Sequence, residues 1–483
     1  MASPEQVLAD LNARPLPAWY DDAKFGIFIH WGAWAIPAFA PRLGSIGETF
    51  AKDYDRAVAM TPYTEWYWNA IRVPGTPSAT FHREHYGDAP YTDFKAPFEA
   101  GLKAWDPAAW AEAFRDAGAR YVVLVTKHHD GLCLWPSAVE NPHQADWTTR
   151  RDIVGELAAA VRAAGLRFGV YYSGGIDWTF NRRPLRTLAD FSGSMPGGPY
   201  RAYAMRQVRE LIDRYAPSVL WNDIAWPTSP MRLHELFADY YAAVPEGVVN
   251  DRWVTSNYPK NRLASAASRR KLDDRMKAYY RTAPEGMHGV IPRPIPHSDF
   301  RTPEYTGFST IQDKKWEATR GMSFSFGFNR HDTEADYATP EALIGDFVDA
   351  VSRNGNLLLN VGPRADGGVP EEQLRRLKAF GAWLRANGEA IYATRPWTRS
   401  DGVTDAGQAL RFTQGPGRLN LIFKGEVSPG RVVVRDLRLS GTARRLADGA
   451  PVALEQRGDD LALNLPPGAP DPIGTAVAVD LAG

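Results

Sequence analysis

The sequence has one cysteine, Cys133, in 483 residues. That excludes an intrachain disulfide and any zinc site built from several thiolates. Neither sign of charge is in excess, since Lys+Arg and Asp+Glu each number 56 and the net charge is zero. Nothing in that balance favours nucleic acid or an anionic membrane as a partner. No apolar run is long enough to span a bilayer, and the opening "MASPEQVLADLNARPLPAW" lacks the apolar core of a secretion signal. A cytoplasmic location is the expectation, although a secreted chain whose leader had been removed would read the same. Neither GxGxxG nor GxxxxGK[ST] is found, so no nucleotide fold announces itself. The absence of GxSxG removes the nucleophile-elbow serine. Cys133 reads as an inert, packed thiol.

Aromatic residues, by contrast, are plentiful: 16 tryptophans, 20 tyrosines and 21 phenylalanines. Most belong to a core. Several lie among polar neighbours, as in "IHWGAW", "TEWYWN", "LWNDIAW" and "NDRW". Flat apolar rings interleaved with hydrogen-bonding groups suit an amphipathic ligand such as a sugar.

From about residue 20 to 395, short apolar runs alternate with amphipathic helical stretches. The runs are "FGIFIHWG" (25–32), "YVVLVTKHH" (121–129), "RFGVYYSG" (167–174), "SVLWNDI" (218–224), "GVVNDRW" (247–253) and "NLLLNVGP" (356–363). Helices are predicted over 107–119, 153–165, 202–216 and 340–355. Repeated strand–helix units imply parallel strands with right-handed crossovers, and the repetition predicts an α/β fold of the (β/α)8 TIM-barrel type. After residue 395 the segments alternate with period two between Gly/Pro turns, which predicts a C-terminal antiparallel β-sandwich. The expected organisation is therefore a catalytic domain over 1–395 and a sandwich over 396–483. Two long loops interrupt the first domain: a Pro/Gly/Ser/Arg-rich stretch (181–200) with the composition of a mobile flap, and an insertion (254–298). The insertion contains "ASRRKLDDRMKAYYR", whose charges by default describe a solvated helix face.

Polar residues gather at the C-terminal ends of the runs: His30-Trp31, His128-His129, Tyr171-Tyr172, Trp221-Asn222-Asp223 and Asn250-Asp251-Arg252. In a barrel these ends form one rim, where active sites are assembled from several strands. A metal site is disfavoured. Adjacent side chains on an extended strand point to opposite faces, so His128 and His129 reach one ion only if the strand breaks there. Neutral imidazoles can instead exchange hydrogen bonds with sugar hydroxyls. Asp223, between Trp221 and Trp226, is the rim's prominent carboxylate. Glycoside hydrolysis needs a second, for which spacing leaves Glu65, Asp130, Asp251, Asp299 and Glu304 open.

The motifs "WYDDAKFGIFIHWG", "EWYW", "WAEAFRDAGARYVVLVTKHHDGLCLW", "FGVYYSGGIDW", "LWNDIAWP", "NDRW", "TPEY", "KWEATRGMSFSFGFN" and "NLLLNVGPRADG", in this order across about residues 19–397, resemble the α-L-fucosidases of glycoside hydrolase family 29. The resemblance implies retaining hydrolysis of terminal α-L-fucose from a fucosylated glycan, with no cofactor and no metal. By motif it makes Asp223 the nucleophile and Glu304 of "TPEY" the acid/base. It places His30, Glu65, Trp66, His128, His129, Tyr171, Trp221 and Arg252 around the sugar. About fifty residues separate Arg252 from Glu304 where similar members have a handful. The insertion between them is either a cap over the leaving-group side or a surface excursion. Three alternatives stay open: a related exo-glycosidase with another sugar, a metal-dependent barrel hydrolase, and a non-catalytic carbohydrate-binding protein, the last at odds with the presence of both Asp223 and Glu304.

Overall fold

The computed structural model describes residues 3–181, 183–255, 265–282, 289–468 and 471–481. Of the insertion, 256–264 and 283–288 lie outside these residues, as does residue 182 of the stretch 181–200. Seven strands make one parallel sheet: β1 (Phe25–Ile29), β2 (Tyr121–Lys127), β3 (Arg167–Ser173), β4 (Val219–Asp223), β5 (Val248–Val249), β6 (Trp316–Arg320) and β7 (Gly355–Val361). Their order is β5-β4-β3-β2-β1-β7-β6. The sheet curls, and the segment 299–305 fills the place between its two edges without being a regular strand. Asp299 N donates to Val249 O at 2.9 Å, Arg301 N to Lys315 O at 3.0 Å, and Tyr305 N to Thr319 O at 2.9 Å.

Period-two alternation builds the barrel wall from both sides. In β2, Tyr121, Val123 and Val125 join Phe28, Tyr171, Trp221, Phe300 and Leu358 in the barrel interior. Val122 and Leu124 turn outward into the larger core beneath the helices. Those helices start where the chain supplies a cap and a proline. Asp106 caps Pro107–Asp116, and Thr339 caps Pro340–Ser352. The helix expected over 202–216 begins earlier, at Pro199–Tyr215, and the run 247–253 yields only the two residues of β5. The stretch 181–200 is not simply an open flap, because it contains the helix Leu188–Gly193.

The C-terminal part forms an eight-stranded antiparallel sheet between Arg395–Val403 and Ala476–Leu481. Leu410, Phe412, Leu421, Leu463 and Val477 lie in its core. It is tied to the barrel helices by polar contacts: Asp349 accepts from Arg411 Nε at 2.7 Å and Lys424 Nζ at 2.9 Å, and Trp383 Nε1 donates to Gly474 O at 2.8 Å.

Candidate active site

The histidine pair occupies a turn, not a strand. β2 pairs with β3 through a register irregularity between Val125 and Lys127 and ends at Lys127. The chain then folds back, with Gly131 N donating to His128 O at 3.1 Å. Gly131 has φ +77, and a Cβ there would lie 2.7 Å from Asp177 Oδ1, so glycine is required. Strand alternation therefore does not separate the two imidazoles. Their ring centroids are 3.9 Å apart, and both face the cavity at the C-terminal ends of the strands.

Second-layer contacts set the tautomers. Ser173 Oγ donates its one proton to Ile176 O at 2.8 Å, so His129 Nδ1, 2.6 Å from that oxygen, is the donor and Nε2 keeps its lone pair. Asn360 uses its amide nitrogen on Phe326 O, and its Oδ1 accepts from His30 Nδ1 at 2.6 Å. Burial pushes His30 down to about 4 and His129 to about 3; His128 is lowered as well, by burial and then by the neighbouring imidazoles. All three are neutral at pH 7. His128 Nδ1 has no partner among the described residues.

Opposite them stand the carboxylates. Asp223, last residue of β4, accepts from Tyr171 OH at 2.9 Å on Oδ2, and from Ile224 N at 2.9 Å and Arg252 Nη1 at 3.2 Å on Oδ1. The other amino group of the same guanidinium, Nη2, pairs with Glu304 Oε2 at 2.9 Å. Burial works against the charge of Arg252, but Glu304, Asp223 and Asp251 outweigh it and raise its pKa. The guanidinium also lies 4.9 Å above the ring of Trp221 and donates through Nε to Thr302 Oγ1 at 3.0 Å. Glu304 takes a further hydrogen bond from Tyr63 OH at 3.1 Å. Glu65, on the short helix Thr64–Trp66, accepts from Gly327 N at 3.0 Å and is pushed up to about 7 by burial.

One cavity of about 340 Å³ is lined by His30, Glu65, Trp66, His128, His129, Tyr171, Trp221, Asp223, Arg252 and Glu304 together. Asp130, Asp251 and Asp299 are not among its walls. Asp130 is turned to Tyr91 OH at 2.8 Å, Asp251 to Thr302 Oγ1 at 2.6 Å, and Asp299 to Tyr241 OH at 2.7 Å. Among the described residues no group of three or more His, Cys, Asp or Glu side chains is arranged to hold a metal ion.

This constellation meets a family pattern. The α-L-fucosidase family profile matches residues 3–389. The tissue α-L-fucosidase of Bos taurus is 34% identical over 395 residues, covering 80% of this chain and 71% of the relative. The chain belongs to the α-L-fucosidase family. It is also similar to the α-fucosidase of Thermotoga maritima in complex with fucose, at 38% identity and TM-score 0.80, with 98% of each chain covered. A complex of the same enzyme with a mechanism-based inhibitor aligns with TM-score 0.81, again at 38% identity and 98% of each chain. These relatives share the barrel and β-sandwich architecture, and the chain is a glycoside hydrolase of α-L-fucosyl residues.

Several groups of this fucosidase site were not read from the sequence. Asn360, Ser173 and Thr302 orient His30, His129 and Arg252. Asn360 stands at the end of "NLLLNVGP", so the strand-end rule that marked the others also covers it. Tyr63 and Phe326 line the cavity from outside the barrel strands. Below the rim, Glu317 of β6 accepts from Trp221 Nε1 at 3.1 Å and Tyr20 OH at 2.8 Å, and burial pushes it up to about 7. Lys127 and Asp177, both buried, pair at 3.0 Å behind the histidine turn.

The insertion's charge-rich helix proves to be Ala266–Thr282, and one side of it is docked rather than solvated. Asp273 accepts from Tyr54 OH at 3.0 Å, Lys277 pairs with Asp55 at 2.6 Å, and Tyr280 stacks on Phe50 with centroids 4.9 Å apart. Tyr280 and Val290 line the fucosidase cavity.

Proposed function

We propose that Asp223 is the nucleophile and Glu304 the acid/base of a double displacement on terminal α-L-fucosides. The observation that supports this is the single guanidinium of Arg252, which touches both carboxylates and holds them on neighbouring walls of one cavity. Asp223 attacks the anomeric carbon while Glu304 gives its proton to the departing oxygen. The ionised Glu304 then takes a proton from water, which attacks the same carbon, breaks the fucosyl–aspartate ester and releases fucose with retained configuration. His129 and His30 offer acceptor Nε2 atoms to sugar hydroxyls. Glu65, His128, Trp66, Tyr171 and Trp221 complete the walls around the ring.

Glu65 supports a second reading for the proton donor, because burial keeps its carboxyl protonated up to about pH 7. Position favours Glu304, whose backbone is paired to Val290, a residue that lines both this cavity and the neighbouring one. The test is azide rescue on an aryl α-L-fucoside. Asp223→Gly should be nearly inactive and yield an inverted fucosyl azide. Glu304→Ala should show a burst and yield the retained azide, since azide then attacks the covalent intermediate. If Glu304→Ala keeps wild-type turnover on poorly activated fucosides, and Glu65→Ala shows the burst instead, the roles are reversed.

A further inference from the structure

The chemistry of the cavity changes from its inner to its outer end. The inner end holds three imidazoles, three carboxylates and Arg252. The outer wall is made by Ile46, Phe50, Val58, Leu188, Phe191 and Tyr280. Beyond Asp223, Ile224 and Arg252, which belong to both spaces, a second cavity of about 570 Å³ opens. Leu233, Phe237, Trp253 and Val254 form one of its sides. The strap "VIPRPIPH" (290–297) forms the other. Val254 and Val290 there remain 40% and 44% exposed.

What these outer walls lack is as informative as what they contain. Apart from Asp223, the described residues around the second cavity include no carboxylate and no amide side chain; the other polar ones are Arg252, Arg293, Thr255, His234 and His297, and both ring nitrogens of His297 are already engaged, with Tyr241 OH and Asn12 Oδ1. A sugar hydroxyl carries a proton that needs an acceptor; arginine offers none, which leaves His234 and the Thr255 hydroxyl as the side-chain acceptors beside Asp223. A ring of hydroxyls placed here would leave several of them against hydrocarbon, each at a cost. The volume lies within the range of small-molecule sites, and apolar lining with a few polar groups is what such sites show.

Resting on the fucosidase reading above, we propose that this outer cleft is the leaving-group subsite and that it selects fucosides of apolar alcohols, aryl or long-chain alkyl, over more polar ones. The insertion supplies part of its wall. The helix Ala266–Thr282 contributes Tyr280, and the strap contributes Val290, whose N donates to Glu304 O at 2.9 Å and whose O accepts from Glu304 N at 2.8 Å. The same residue thus lines the cleft and holds the backbone of the proposed acid, so an apolar group seated there lies beside the proton it needs.

The experiment compares kcat/KM for methyl, butyl and octyl α-L-fucoside and for a fucosylated trisaccharide, using the full chain. Burial of methylenes gives up to about fourfold per group, so a partly enclosed chain should raise kcat/KM by about thirtyfold from methyl to octyl, and octyl should exceed the trisaccharide. Val254→Asp and Ile295→Asp should each lower the octyl-to-methyl ratio by about tenfold. The ratio does not depend on how much of a variant is folded. Equal values for methyl and octyl, a ratio unmoved by both substitutions, or a trisaccharide preferred to octyl would each overturn the inference alone. A chain inactive on every fucoside would overturn the fucosidase reading, and this inference with it.

Discussion

Arg252 and Glu304 form an ion pair at 2.9 Å, and the second amino group of the same guanidinium reaches Asp223 at 3.2 Å. A planar fork can address two carboxylates at once, whereas an ammonium is a point charge on a flexible stem. Arg252→Lys should therefore keep the local charge and lose the shared alignment. We expect kcat on aryl fucosides to fall by about a hundredfold, with Arg252→Lys folding normally by circular dichroism. A variant within threefold of wild type would show that charge alone suffices.

His129 lines the cavity and is held by Ser173 so that Nε2 is left as an acceptor, which we propose reads a sugar hydroxyl. Replacing it leaves a bound hydroxyl unpaired, which is expensive in a site that excludes water. His129→Ala should lower kcat/KM by at least about tenfold, and Ser173→Ala should lower it less, since it frees the ring without removing it. Steady-state kinetics on an aryl fucoside check both.

The same burial makes a prediction about pH. The folded-state pKa values of His30 and His129 lie below the ordinary 6.5, at about 4 and about 3, so both imidazoles stay neutral as pH falls from 7 to 5. Protonation begins only near pH 4, where the acceptor lone pairs are lost. Nitrogen-15 shifts of labelled histidine should show Nδ1–H tautomers for both rings throughout the range 5 to 7. An imidazolium signal appearing with a midpoint near 6.5 would contradict the burial argument.

Lys127 and Asp177 pair at 3.0 Å with both side chains buried. Removing one partner strands the other charge, at a cost of about 3–5 kcal/mol, whereas removing both costs much less. Lys127→Met should therefore lower the unfolding free energy more than Lys127→Met with Asp177→Asn together. Urea denaturation followed by tryptophan fluorescence tests the order.

The parts of the site that were legible beforehand are those whose residue types contradict their surroundings. Histidines after "YVVLVTK" and an aspartate after "SVLWN" are costly strand ends unless they are used, so the sequence pattern marked them. Strand β6 is absent from the predicted runs because "WEATR" carries two charges in five residues and no apolar run. Its glutamate is tolerated inside the barrel only because Tyr20, Tyr121 and Trp221 all donate to it, and those partners come from three distant segments. The turn that brings His128 beside His129 depends on Gly131, which a strand-based reading of "KHHDG" passes over. Ser173 and Asn360 reach the cavity only through His129 and His30, so their roles follow from position rather than type. The docking of Ala266–Thr282 was hidden by its own charges: Asp273 and Lys277 look solvated in sequence and are spent on Tyr54 and Asp55.

The segment 299–305 has a consequence for how this barrel comes apart. Among the described residues, several backbone bonds fasten it to the β6 side and a single backbone bond, from Asp299 to Val249, to the β5 edge, where the other ties run through the side chains of Asp299, Asp251 and Arg252. A closed wall with one thin seam should open there first, and its amides should exchange with deuterium well before those of β1 to β4. Glu304 sits on the β6 side of that seam and Asp223 on the other, with the Arg252 guanidinium bridging them. Warming would then part the two carboxylates while the rest of the barrel is still intact. The molecule would lose its catalytic voice some degrees before it loses its shape.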